Sequence, residues 1–257
     1  MTGAAASGGD IYMGKHRRGA GAVSAPAWGR PGPDRMLPAQ VVVIAKEPIP
    51  GRVKTRLTPP FTPAEAATLA EAALADTLTA VADTNVVRRV LALEGAPGSW
   101  LPGGFDVIGQ RGAGLDERIV WALKDAHLTL PVPLVLIGMD TPQVTPALLL
   151  AAAEPLVSDT ADATFGMAED GGFWLLGLRR VDPALVLGVP MSQPDTGSRQ
   201  LARLERAGLR VRRLPDLIDV DTVREAERVA AATPGSAFAT CLTGLRQGAT
   251  PVVAAAG

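Results

Sequence analysis

The sequence predicts an α/β protein built on a mixed, mostly parallel central sheet, and three of its features carry that prediction. Short apolar runs rich in β-branched residues alternate with longer segments of helical pattern, the rhythm of βαβ units. The runs are apolar almost throughout, as strands covered by helices on both faces must be, so a three-layer α/β/α sandwich is expected. Between two of the runs, Ala168-Glu-Asp-Gly-Gly172 is too short for a crossover helix, so one strand of that pair runs against the others.

The first strand is Gln40-Val-Val-Val-Ile-Ala-Lys46. A loop rich in Pro, Gly and basic residues follows. Thr62-Pro63-Ala64-Glu65 then offers an N-cap, a proline at the first helical position and a glutamate that closes a capping box, opening a helix that runs to about Asp83. Strands are expected at Val86–Leu93 and Phe105–Ile108, a helix from Gly114 to about His127, a strand at Pro133–Gly138 and a helix at Thr145–Val157. Strands at Asp162–Met167 and Phe173–Leu178 flank the short gap. Beyond them come a short helix near Pro183–Leu187, a helix at Thr196–Ala207, a strand at Arg210–Leu214 and a helix opened by the capping box of Thr222 and Glu225.

Residues 1–38 are expected to form a flexible extension, 39–248 a single catalytic domain and 249–257 a tail; Met13 or Met36 could serve as the true start. Of the 257 residues, 47% are hydrophobic, which is enough for a substantial core. The 25 basic and 26 acidic side chains leave a net charge of -1, which argues against a nucleic-acid partner and requires any phosphate affinity to be local. The single Cys241 excludes an intrachain disulfide and a multi-cysteine zinc site, and His16 and His127 make a poor metal pair. No apolar run approaches the roughly 18 to 20 residues of a spanning helix, and the basic cluster at Lys15–Arg18 lacks the apolar segment of a secretory signal. A cytoplasmic protein without membrane insertion is therefore expected, and oligomeric state is left open.

The candidate chemistry gathers in four loops, each following the carboxyl end of a strand, where ligands bind in open parallel sheets. Lys46-Glu-Pro-Ile-Pro-Gly51-Arg52-Val-Lys54-Thr-Arg56-Leu57 concentrates cations suited to a polyphosphate, with Gly51 allowing close backbone approach and Val53 and Leu57 able to dock the loop; a solvated basic turn is the plain alternative. Gln110, Gly112 and Arg118 belong to a second loop, whose glycine-rich helix start could meet a base or phosphate. Asp140 ends the apolar strand before Thr141-Pro142 and is the leading Mg²⁺ or Mn²⁺ ligand, unless it only caps a turn. In the fourth loop, Asp170 would take an acceptor hydroxyl or its proton, Gly171 and Gly172 would let the backbone meet substrate and Trp174 would pack beside it, unless Asp-Gly is simply a hairpin turn. Asp219-Val-Asp221-Thr222 offers a further carboxylate pair, of which Asp221 is a possible second metal ligand or a mere neighbour of a helix cap. Arg199, on an expected helix, is a weaker phosphate candidate.

With these residues in place, the chain from about residue 40 to 232 resembles the uncharacterised DUF2064 family of the GT-A nucleotide-diphospho-sugar transferase superfamily. The resemblance rests on Lys46–Leu57, Ile137-Gly-Met-Asp-Thr-Pro142, Asp170-Gly-Gly-Phe173 and Leu214-Pro-Asp-Leu-Ile-Asp-Val-Asp-Thr222. Some members of that family carry the name arsenosugar biosynthesis glycosyltransferase, while the basic loop is similar to that of 2-phospho-L-lactate guanylyltransferase and the molybdenum cofactor guanylyltransferase. The resemblance implies a GT-A (Rossmann-like) fold, a divalent metal at Asp140 and a nucleotide near Lys46, Lys54 and Arg56. Asp140-Thr-Pro stands where many glycosyltransferases have Asp-x-Asp, leaving one metal carboxylate at that position rather than two. Three activities remain open: a nucleotide-sugar glycosyltransferase acting on a small-molecule acceptor, with Asp140, Asp170 and Lys54 as catalytic groups; a nucleotidyltransferase joining a nucleoside triphosphate to a phosphorylated small molecule and releasing pyrophosphate; and a non-catalytic nucleotide-binding module.

Overall fold

The computed structural model describes residues 36–248; His16, the Lys15–Arg18 cluster, Met13, most of the expected extension and the expected tail lie outside the described residues. Seven strands form one sheet in the order β3-β2-β1-β4-β6-β5-β7. They are β1 (Leu37–Lys46), β2 (Val86–Glu94), β3 (Asp106–Gly109), β4 (Leu134–Ile137), β5 (Ala163–Met167), β6 (Phe173–Leu178) and β7 (Val211–Arg213). β6 is antiparallel to both of its neighbours, β4 and β5, and every other pairing is parallel. The mixed sheet expected from the short 168–172 gap is therefore present, with β6 as the reversed strand. β1 begins at Leu37, inside the expected extension.

Side-chain alternation along β1 explains the layers. Val41 and Val43 point to one face of the sheet, where Leu74 and Leu78 of α1 (Pro63–Ala82) and Leu149 and Ala152 of α3 (Pro146–Val157) cover them. Val42 points to the other, among Ile119 and Leu123 of α2 (Leu115–Thr129) and Leu204 of α4 (Thr196–Arg206). A central strand buried on both sides is what a continuous apolar run demands.

Two capping boxes fix helix starts where the sequence places them. Thr62 accepts from the Glu65 amide and Glu65 returns a 2.7 Å bond from the Thr62 amide; Thr222 and Glu225 repeat the arrangement at α5 (Val223–Ala232). The expected short helix near Pro183 is a single 3-10 turn, Pro183–Leu185. One helix is expected after Thr222, but the chain forms two: Thr233-Pro-Gly-Ser236 breaks it, with Gly235 at φ 86°, and α6 (Ala237–Gly248) follows. α5 and α6 pack outside α1 and build a third, smaller core from Leu57, Phe61, Leu69, Val220, Val229 and Phe238. No helix among the described residues is long and apolar enough to cross a membrane.

Candidate functional site

The loops after β1, β3, β4 and β5 lie at the same end of the sheet, because those strands are parallel, and together they line a cleft of about 830 Å³. Lys46, Lys54, Arg56, Gln110, Arg118, Asp140, Thr141, Asp170, Gly172 and Trp174 all reach its lining, and Asp221 joins them from the segment before α5. Gly51, Gly112 and Gly171 do not.

The centre of the cleft is an ion cluster. Lys54 extends an ammonium whose side chain is only 5% exposed, with Nζ 2.5 Å from Asp140 Oδ1 and 3.4 Å from Asp221 Oδ1. Burial alone would lower the Lys54 pKa, but the charges of Asp140 and then Asp221 overcome it and hold it above 10.5. Arg56, far more exposed, gives Asp221 Oδ2 a 2.8 Å bond from Nη1. Local backbone makes this possible: Lys54 adopts a left-handed conformation (φ 48°, ψ 36°) that caps the 3-10 turn Thr55–Leu57, and buried Leu57 anchors that turn. On the opposing arm, Val220 is buried and its amide donates to the Asp140 carbonyl at 3.0 Å, which holds the Asp219–Asp221 segment against the end of β4. Thr222 does cap α5, so Asp221 is left free to face the cleft.

Sequence reasoning singled out the pair Asp219 and Asp221 but placed only Asp221 in the site. Asp219 lines the cleft too, and burial, followed by the negative charges of Asp140 and Asp170, pushes its carboxyl up to about 8. Such a group holds its proton in the folded chain. Its stabilising contribution is complete below the unfolded value of 3.8 and lost as pH rises through about 8. In chelator-treated buffer, the melting temperature should therefore decline over that interval, and Asp219→Asn should flatten the decline. An unchanged slope in the variant would remove Asp219 as its source.

Several candidates make structural contacts of their own. Both N–H groups of the Gln110 amide are engaged, at 2.7 Å by the Ala45 carbonyl and 2.9 Å by that of Ala92, so Gln110 ties β1 to β2 and has no donor left for phosphate. Gly112 (φ 117°) makes the tight start of α2, but Glu117 turns back to accept from the Ala113 amide at 2.8 Å and closes the helix start expected to meet a ligand. Arg118 pairs with Glu94, which also draws in Lys46 at 3.7 Å and Arg52 at 3.9 Å. Gly51 (φ 76°) simply permits the turn of the basic loop. Gly171 (φ 92°) serves a close backbone approach: a Cβ there would overlap the Pro194 carbonyl, and its own carbonyl accepts from Gly197 at 2.8 Å. Trp174 is buried, its indole N–H donates to the Pro215 carbonyl at 3.1 Å, and Gly166 leaves room for its ring; it backs the cleft and holds the 214–217 segment. The Thr141 hydroxyl is buried without a partner. Asp170 lines the cleft with Oδ1 fixed by the Gly172 amide at 2.8 Å. Arg199 pairs with Asp195 at 2.6 Å and is not part of the lining.

A further part of the lining has no counterpart among the expected site residues. Met191, Ser192, Gln193, Pro194 and Thr196 supply it, carried in by the turn between the 3-10 segment and α4 and locked by the Gly171–Gly197 contact. The signal was faint, since Pro190-Met-Ser-Gln-Pro194 reads as an ordinary loop.

The family described as "Uncharacterized protein conserved in bacteria (DUF2064)" matches residues 69–193, in agreement with the resemblance carried by the motifs. No curated protein matches the chain. Among solved structures, a protein of Desulfovibrio desulfuricans G20 assigned as a nucleotide-diphospho-sugar transferase is 26% identical, with a TM-score of 0.74 over 81% of this chain and 95% of that one. Rv0371c of Mycobacterium tuberculosis H37Rv, solved in complex with manganese, is 21% identical with a TM-score of 0.49, over 76% of this chain and 100% of that one. CMP:2-keto-3-deoxy-manno-octonic acid synthetase complexed with CTP is 14% identical with a TM-score of 0.49, over 76% and 98%.

Proposed function

Proceeding from the DUF2064 match, we propose that this chain is a metal-dependent transferase that moves the glycosyl group of a nucleotide sugar to a small-molecule acceptor. The observation that carries this reading is the convergence of Asp140 and Asp221 on one point, now held by the Lys54 ammonium, inside a cleft lined by three further cations. Among the described residues no cluster of three or more His, Cys, Asp or Glu side chains forms a closed metal cage. The donor set nevertheless fits Mg²⁺ or Mn²⁺, which take oxygen ligands and complete their shell with water and phosphate oxygens, so two carboxylates suffice. Asp140 and Asp221 would hold the ion, and when bound it would supply positive charge to the leaving diphosphate.

The remaining chemistry belongs to the chain. Lys54 stands beside both carboxylates and Arg56 beside Asp221, and the two would take phosphate oxygens of the donor, Arg56 through its planar fork. Asp170, with one oxygen fixed by Gly172, would present the other to the acceptor hydroxyl and take its proton as the hydroxyl oxygen bonds to the sugar carbon. The bond from that carbon to the diphosphate then breaks, and nucleoside diphosphate leaves. The acceptor wall of Phe173, Met191, Ser192, Gln193 and Pro194 contains no Lys or Arg, which favours a neutral acceptor over a phosphorylated one.

Nucleotidyl transfer is the second reading. It is favoured by a smaller cavity of about 170 Å³, lined by Lys46, Arg52 and Glu94 among others, that would extend the cation track for a triphosphate. A melting-temperature screen of nucleotide sugars and nucleoside triphosphates, each with and without Mg²⁺ or Mn²⁺, separates the two, since a ligand at a hundred times its Kd stabilises by about 2.7 kcal/mol. Metal-dependent stabilisation by a nucleotide sugar, with nucleoside diphosphate formed on turnover, is expected. Stabilisation by a triphosphate alone, with pyrophosphate formed, would replace the first reading by the second, and binding without turnover on any acceptor would leave a binding module.

A further inference from the structure

We propose that Asp76, on α1 and outside the cleft lining, is a positioning residue that holds the Lys54–Asp140–Asp221 cluster together through α6. The cluster needs outside support on two counts. Lys54 is a non-glycine residue in the left-handed region, a strained conformation that persists only where the surrounding structure imposes it. Lys54 and one of the two carboxylates it meets, Asp221, also sit on segments 167 residues apart in the chain.

Both segments are anchored in the third core. Leu57, fully buried there, donates its amide to the Lys54 carbonyl at 2.9 Å and so fixes the turn from which Lys54 projects. Val220, between Asp219 and Asp221, enters the same core. Phe238, the largest side chain that α6 buries, completes it. Asp76 adds a polar tie between α1 and α6 to this apolar packing: its Oδ1 accepts from the Ala237 amide at 2.9 Å and its Oδ2 from the Phe238 amide at 2.8 Å. These first-turn amides have no partner inside the helix, and the carboxylate also meets the positive end of the helix dipole. Ser236 caps α6 independently through the Ala239 amide at 3.0 Å. Loss of Asp76 should therefore loosen the docking of α6 and leave the helix itself formed.

The proposal rests on the cluster assigned above but is tested without nucleotide or metal. The chain has four lysines, Lys15, Lys46, Lys54 and Lys124. Limited acetylation of the full chain at a temperature well below melting, read by mass spectrometry at each lysine, reports how often Lys54 leaves its carboxylates. Lys54 should react about tenfold more slowly than Lys46 in the parent, and Asp76→Ala should raise its rate about fivefold while Lys46 and Lys124 hold theirs. Asp76→Asn, which keeps one acceptor, should fall between and carries the test if the alanine variant does not fold. Asp162→Asn, which breaks ion pairs to Arg179 and Arg210 near the distant β7 edge, should leave Lys54 protected. Lys54 protection unchanged by the Asp76 variants, or a rise shared by all lysines, would overturn the coupling; an unprotected Lys54 in the parent would overturn the cluster itself. None of these outcomes depends on the reaction catalysed, so failure here is distinguishable from failure of the glycosyl-transfer reading.

Discussion

Asp140→Asn is expected to lower turnover on the nucleotide sugar that supports it by about a thousandfold, the upper range for removing one preorganised electrostatic partner, while leaving the fold intact. The substitution keeps the shape of the side chain, and Lys54 retains Asp221 at 3.4 Å, so the ammonium is not left alone in the cleft. What disappears is negative charge at the one point where the end of β4, the basic loop and the segment before α5 meet. Asp140 stands 2.5 Å from Lys54 Nζ and its backbone carbonyl holds Val220, so its position survives the change but its charge does not. Release of nucleoside diphosphate at saturating donor measures the chemical effect, and Mn²⁺ titration of the folded variant should show affinity weaker by at least about tenfold. A variant that turns over within tenfold of the parent would show that Asp140 holds neither the metal nor Lys54 in a way the reaction needs.

Legibility in the sequence followed how local the physics was. The apolar run from Gln40 to Ala45 and the two Thr-x-x-Glu boxes are local signals, and β1, α1 and α5 appear where those signals put them. That one strand of the β5–β6 pair is reversed was readable because chain length alone forbids a crossover between Met167 and Phe173, but only the pairing with β4 identifies it as β6. α6 was not readable, since Thr240, Cys241, Thr243 and Gly244 place weak helix formers along its middle, and the helix is held by packing on α1.

The same division runs through the site. Lys54, Arg56, Asp140 and Asp170 follow strand ends, and the topology of a parallel sheet brings strand ends together whatever the intervening sequence. Asp221 needed the third core to bring it within reach of Lys54. Gln110 and Trp174 looked like ligand contacts because their side chains are polar or aromatic and stand near the right ends. Only tertiary partners, the carbonyls of Ala45, Ala92 and Pro215, reveal that their donors are already spent. Gly171 illustrates a third situation, in which the residue type was read correctly as one permitting close approach, but the approaching group is the chain's own Pro194.

Lys54→Met is expected to have the larger effect on stability and to make that stability depend on divalent metal. The substitution keeps the length of an apolar stem and deletes the charge, leaving Asp140, Asp219 and Asp221 around a point with no buried cation. Removing one member of a fully buried pair costs about 3 to 5 kcal/mol, but Asp140 and Asp221 are partly open to water, so a loss of about 1 to 3 kcal/mol is expected. The pH dependence carries the sign of the missing charge. In the parent, the folded pKa of Lys54 lies above its ordinary 10.5, so its contribution is complete below that pH and lost only as pH rises through the folded value. In the variant that contribution is absent everywhere, and carboxylate repulsion without a countercharge should make stability fall more steeply than in the parent as pH rises through neutrality. Mn²⁺ should then raise the melting temperature of the variant more than that of the parent, because in the parent the ammonium already neutralises the oxygens that the ion would take. Melting curves with and without Mn²⁺ across the neutral range decide it: equal metal-induced shifts in the two proteins would mean that Lys54 and the metal do not share the Asp140–Asp221 site.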